Sequence, residues 1–107
     1  MQPSLKALIL SATASIAFAA VAMASPAPHF RGAELLKSAK VNLAHATAIA
    51  LKARPGMITD KELEREKGGS GLRYSFDIRS AGKPYEVGVD AANGAILENN
   101  AEGSHPD

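Results

Sequence analysis

The stretch Arg73 to Asp90, RYSFDIRSAGKPYEVGVD, decides the fold. Tyr74, Phe76 and Ile78 alternate with Arg73, Ser75, Asp77 and Arg79. Tyr85, Val87 and Val89 alternate in the same way with Glu86 and Asp90. Successive side chains of a strand point to opposite faces, so each run predicts a strand with one apolar and one charged face. Ala81-Gly82-Lys83-Pro84 joins the two as a hairpin loop. A sheet with one wet face is usually antiparallel, and its dry face needs a cover.

The flanks extend this sheet. Gly68-Gly69-Ser70-Gly71 reads as the loop ahead of the first strand. Before it, the charged run Thr59 to Lys67 contains Leu63 and follows Ile58, and these two differ in parity. One regular strand cannot bury both, which predicts a bulge or a strand starting near Asp60. After Val89, Asp90-Ala91-Ala92-Asn93-Gly94 predicts a turn. Asp90 can accept from amides ahead of it, and Asn93-Gly94 can supply positive φ. Ala95 to Glu98 is expected as a short last strand, and 99–107 as a disordered polar tail.

The cover lies upstream. Leu43, Ala46, Ile49, Ala50 and Ala53 recur at steps of three and four, which predicts a helix with one apolar face. Asn42 suits its N-cap. Arg54-Pro55-Gly56 ends it, because the residue before a proline avoids helical geometry. His45, Lys52 and Thr47 fall toward its outer face. Alanine on the buried face allows a close approach to the sheet. Ser25 to His29 reads as a flexible leader, and Leu35, Leu36 and Ala39 suggest a short helix within 25–40. The expected architecture is α+β: one main helix, with a short one before it, packed on three or four antiparallel strands.

Residues 1–24 have a different character. They hold 17 of the 49 hydrophobic residues in this 107-residue chain, and the remaining 83 residues hold 32, or 39%. Lys6 is their single charge, so the remainder balances 11 basic against 11 acidic residues. A short start with one lysine, an uncharged run Ala7 to Ala24 and the small residues of Ala22-Met23-Ala24 before Ser25 predict a signal peptide cleaved between Ala24 and Ser25. A transmembrane anchor is the alternative, since the run approaches the length that spans a bilayer. Its many Ala, Ser and Thr residues gain little from lipid, and no basic cluster follows it. Cleavage leaves an exported periplasmic or extracellular protein with no stable membrane insertion.

The neutral remainder argues against nucleic-acid binding, which needs excess positive charge against phosphates. With no cysteine, disulfides, cysteine zinc sites and thiol nucleophiles are excluded. Length allows one small domain.

The order of these signals resembles the PepSY domain family. Ala53-Arg54-Pro55-Gly56 closes a helix, Glu62-Leu63-Glu64 lies in the next strand, and Gly68-Gly69 forms a turn. Tyr74-Ser75-Phe76-Asp77-Ile78 and Tyr85-Glu86-Val87-Gly88-Val89-Asp90-Ala91 follow, then Asn93-Gly94. The likeness spans about Val41 to Glu98 and is carried by the ordered set. It implies a 41–98 module that binds or restrains other proteins, often peptidases, outside the cytoplasm, and it does not imply an enzyme. No His-Glu-x-x-His motif is present. The expected action is therefore in trans.

Candidate sites are sparse. Glu62, Glu64 and Glu66, with Asp60 before them, form either an acidic stripe for a basic partner or metal, or the solvated face of an amphipathic strand. Exposed strands carry such charges routinely, and Lys61, Arg65 and Lys67 dilute the stripe. Tyr74 and Tyr85 open neighbouring strands and are read as side-by-side core ends or as a partner-binding edge. These five residues are the candidate partner surface. His29, His45 and His105 are too scattered for a metal site. Ser70 and Ser75 lack a positioned histidine, and Gly68 to Gly71 lacks the helix that would cradle phosphate. No catalytic, cofactor or metal residues are assigned.

Two classes of function follow. The first is an exported binding module that modulates a peptidase or docks on an envelope protein. The second is a small-ligand or metal-binding accessory protein of the envelope. A purely structural envelope component is a weaker third. Intact mass spectrometry of the exported protein is expected to show a chain beginning at Ser25; a retained Met1 contradicts the leader reading.

Overall fold

The computed structural model describes residues 29–103, and the expected signal peptide lies outside them. The elements run β1 (His29–Arg31), a 3-10 helix (Ala33–Ser38), α1 (Leu43–Ala53), β2 (Met57–Arg65), β3 (Leu72–Ser80), β4 (Lys83–Asp90) and β5 (Ile96–Ala101). The strands form one sheet in the order β1-β2-β3-β4-β5. β1 is parallel to β2, and the other pairs are antiparallel. The sheet is therefore mixed and five-stranded, larger than the three or four antiparallel strands expected.

Both α1 ends follow their local chemistry. The Asn42 side chain accepts from the His45 amide at 2.8 Å, satisfying one of the first-turn donors that lack a helical partner. Arg54 before Pro55 is extended at φ −144°, ψ 90°. Ala46 and Ala50 are fully buried, one turn apart on the face toward the sheet. Beneath them lie Leu63, Leu72, Tyr74, Phe76, Ile78, Val87 and Val89, with Val41 and Ala91 closing the end near the start of the helix. The Tyr74 and Phe76 rings stack with centroids 6.3 Å apart.

A chain of hydrogen bonds fixes where α1 begins. The Leu72 carbonyl accepts from the Ala91 amide, and the Ala91 carbonyl accepts from the amides of Lys40 and Val41, each at 2.9 Å. The Tyr74 hydroxyl donates to the Val41 carbonyl at 2.7 Å.

The β2 parity conflict resolves as a bulge. The register shifts between Ile58 and Asp60, so Ile58 pairs with Ile78 and Leu63 with Tyr74. Ile58 packs against the core and Leu63 lies within it. The β3–β4 hairpin is tighter than the four-residue loop expected. Ser80 pairs with Lys83, leaving Ala81 and Gly82 at φ 53° and 78°. Two positive-φ residues match the primed two-residue turn, whose twist suits antiparallel strands.

The two ends of the domain correct the sequence reading. His29, assigned to the flexible leader, opens β1, and Phe30 packs against the core between two exposed residues. The short helix is a single 3-10 segment, with Leu35 half-buried and Leu36 exposed. Gly32 joins β1 to it at φ 96°, where a Cβ would lie 2.0 Å from the Leu63 carbonyl oxygen. Only glycine fits there. At the other end β5 runs to Ala101, three residues into the tail expected to be disordered. Asn99 explains this extension. Its carboxamide accepts from Arg54 Nε at 3.1 Å and donates to the Ala53 carbonyl at 3.4 Å, binding the strand to the last turn of α1.

Tyr74→Phe is expected to destabilise the domain by about 1–3 kcal/mol, because the Val41 carbonyl is left buried without this donor. Urea titration followed by circular dichroism checks this: a lower midpoint with an unchanged slope is expected, and an unchanged midpoint contradicts it.

Candidate functional site

The helix covers one face of the sheet. Directly opposed residues share a face, so the register defines the other. On it stand His29 and Arg31 from β1, and Asp60, Glu62 and Glu64 from β2. β3 contributes Arg73, Ser75, Asp77 and Arg79, and β4 contributes Glu86, Gly88 and Asp90. Glu98 and Asn100 complete it from β5. Seven carboxylates thus share this face with three arginines. The helix-side strand positions are of opposite sign where charged: Lys61 and Arg65 lie opposite Phe76 and Leu72, and Lys83 lies opposite Ser80. The neutral domain is electrically two-sided.

Several face groups are held by internal bonds, although among the described residues Arg73 Nε is buried without a hydrogen-bond partner. The Arg31 guanidinium donates to Asp60 at 3.1 and 2.9 Å and to Glu62 at 3.0 Å. The Ser75 hydroxyl donates to Glu64 at 2.8 Å. Arg73 lies buried across Gly88, where an added Cβ would meet its Nη1 at 3.1 Å. It donates to the Lys67 carbonyl at 2.9 Å and reaches Glu98 at 3.4 Å. Asp90 is a structural carboxylate. It accepts from the Ser70 hydroxyl and amide at 2.7 and 2.8 Å and from the Ala92 amide at 2.8 Å. The Ser70 hydroxyl, followed by backbone amides, holds it below the usual carboxylate range despite burial.

Asp77, Glu86 and Glu102 differ. Asp77 and Glu86 are cross-strand partners, and carboxylate oxygens of all three lie within 4.8 Å of one another. Among the described residues none of the three has an ion pair within 4.0 Å. Burial first, then the charge and hydrogen bond of Glu102 and the charge of Asp60, push Asp77 up to about 6 against a weaker opposing pull from Arg31. Burial first, then the charges of Glu98, Asp77, Glu102 and Glu64, push Glu86 up to about 7. Three convergent carboxylates are chemically able to hold a hard cation or a guanidinium, and crowded acids also occur on exposed surfaces with neither.

The five candidate surface residues do not gather in one place. Glu62 and Glu64 stand on the open face, and Glu66 is exposed just beyond β2. Tyr74 is buried on the helix side. Tyr85 is half-buried there, with the Arg54 guanidinium 3.8 Å above its ring. Nor are the tyrosines side by side: Tyr74 pairs with Val89 and Tyr85 with Ile78, because antiparallel strands start at opposite ends. The Asp77–Glu86 pairing escaped the sequence reading. Its available signal was the turn: a two-residue loop at Ala81-Gly82 places position 77 opposite 86.

This architecture defines a small one-sided module, a sheet sealed by a helix on one face and presenting an acidic face on the other. The family model of the PepSY domain, described as the peptidase propeptide and YPEB domain, matches residues 40–100, and the chain belongs to that family. The match runs from just before α1 into β5, leaving β1 and the 3-10 helix outside. Comparisons with curated proteins and with solved structures found no match. PepSY domains are commonly propeptide-like, typically non-catalytic modules that occur in exported proteins. No helix among the described residues is long and apolar enough to cross a membrane.

The raised carboxyls carry a pH signature. Between about pH 4 and 7 the folded chain retains protons that the unfolded chain has released, so this pair's contribution to stability falls as pH rises through that window. Asp90 acts oppositely, and its contribution is lost only as pH falls below the ordinary carboxylate range. Thermal unfolding is therefore expected at a higher temperature near pH 5 than near pH 8, with Glu86→Gln flattening the difference. A melting temperature that climbs from pH 5 to 8, or a slope untouched by the substitution, contradicts this assignment.

Proposed function

We propose that this protein is an exported, non-enzymatic binding module that acts in trans, modulating a peptidase or docking on an envelope protein. The observation that carries this reading is the extent of the family match, which takes in α1 and almost all of the five-stranded sheet's last four strands. The family is commonly propeptide-like, and a rigid sheet with a polar face opposite its helix suits docking against another protein.

The architecture supports the same reading. The face opposite α1 is polar and presents groups from every strand. Its buried charged groups, Arg73 and Asp90, are held by internal hydrogen bonds that tie the 66–71 loop to the sheet. A pre-ordered surface loses little conformational freedom on association. Export, with cleavage between Ala24 and Ser25, places the module where peptidases and envelope proteins are its partners.

The test is to purify the exported chain, titrate it into peptidases from the same compartment, and measure retention of envelope proteins on the immobilised chain. Saturable slowing of one peptidase, or stoichiometric retention of one envelope protein, is expected. If no hydrolysis is slowed and nothing is retained, the proposal fails.

A further inference from the structure

We propose that the partner docks on the open face of the sheet and presents a lysine- or arginine-bearing segment to the carboxylates around Asp77 and Glu86. This rests on the binding-module reading and specifies its surface and the partner's chemistry.

Three observations converge. First, α1 seals the opposite side, where Ala46 and Ala50 are buried, and on this face the 66–71 loop lies over Arg73 and Asp90 but leaves Asp77 and Glu86 half-buried and Glu102 exposed. Second, the charge of a nearly neutral chain is unevenly divided, with seven carboxylates against three arginines on this face and Lys61, Arg65 and Lys83 on the other. The surface complementary to it is basic. Third, the face already shows how a guanidinium sits on it. Arg31 bridges Asp60 and Glu62 at 2.9–3.1 Å. One strand further on, Asp77 and Glu86 face each other beside Glu102 with no ion pair among the described residues. A partner's arginine placed there would repeat the Arg31 arrangement and offset the burial and the mutual repulsion that raise both carboxyls.

The width of the face favours a polypeptide over a single ion. Five strands at about 4.8 Å spacing span about 19 Å, and the carboxylates are distributed along that width, whereas one cation would touch three of them. The floor is firm, since Arg73 fills the depression over Gly88 instead of extending into solvent. A second copy of this chain is a poorer occupant. Its basic helix side on this acidic face makes a head-to-tail contact and not the self-complementary two-fold contact of the commonest dimers.

The probe is an arginine–serine repeat peptide, with its citrulline counterpart as the uncharged control, titrated into the isotopically labelled exported chain by NMR. Amide shifts are expected at Ser75, Asp77, Glu86 and Glu98, weakening with salt. The combined variant Asp77→Asn/Glu86→Gln/Glu102→Gln is expected to lose about tenfold in affinity, from three partly exposed charge contacts. Glu34→Gln, away from the face, is expected to bind as the parent does. Because neutralising crowded carboxylates relieves repulsion, the variant remains folded, which its spectrum checks directly.

Several results overturn the proposal: shifts confined to α1, equal affinity for the citrulline peptide, or no loss in the combined variant. Calcium binding at the three carboxylates without peptide binding assigns a cation site instead. Salt-sensitive self-association abolished by the variant assigns the face to a second copy. Retention of envelope proteins separates the two levels. If parent and variant capture the same partner, the face is wrong and the binding-module reading stands; if the parent captures none, that reading falls and this proposal with it.

Discussion

The hydroxyl of Tyr74 has one place to go. The side chain is fully buried, and its O–H donates to the Val41 carbonyl at the chain's approach to α1. A buried hydroxyl without a partner is costly, so this bond dictates which end of the sheet the helix starts from. The Ala91 carbonyl reinforces it by accepting from both Lys40 and Val41. With its start fixed and Asn99 binding its last turn to β5, the helix has one lie across the sheet. Ala46 and Ala50 let it sit close enough to seal that face.

Sealing one face has an electrostatic consequence. In strands that alternate strictly, every charged residue excluded from the helix side must appear on the other. Asp77 and Glu86 therefore meet across β3 and β4, and neither can turn away without moving Phe76 or Val87 out of the core. The raised carboxyls follow from burial requirements on the far side of the same strands. The fold supplies partial relief through Arg31 and through Arg73 lying over Gly88, and the remaining negative charge stays on that face.

The parts legible in the sequence were those repeated over several residues. Alternation from Arg73 to Val89 marks β3 and β4, the three- and four-step spacing from Leu43 marks α1, and the parity conflict of Ile58 and Leu63 marks the bulge. What escaped depended on single residues or on register. β1 has three residues, and only Phe30 faces inward, too short for any period to show. The end of β5 was obscured because Asn99 is polar yet faces the helix, where it binds Arg54 and the Ala53 carbonyl. Tyr74 and Tyr85 were legible as strand residues but not as occupants of opposite ends, and the acidic grouping needed the hairpin register that Ala81-Gly82 sets. The family motifs were readable because they are the turns and alternations of this same fold.

The central claim is that α1 closes one face of the sheet while, on the other, the carboxylates around Asp77 and Glu86 stand open in solution beyond the 66–71 loop that covers Asp90. Carboxyl footprinting, in which a carbodiimide couples an amine to accessible Asp and Glu side chains and mass spectrometry locates the products, tests this directly. The account predicts rapid labelling of Asp77, Glu86 and Glu102, with Asp90 protected until the domain unfolds. Protection of Asp77 and Glu86 to the level of Asp90 would mean that the face is covered, and would contradict it.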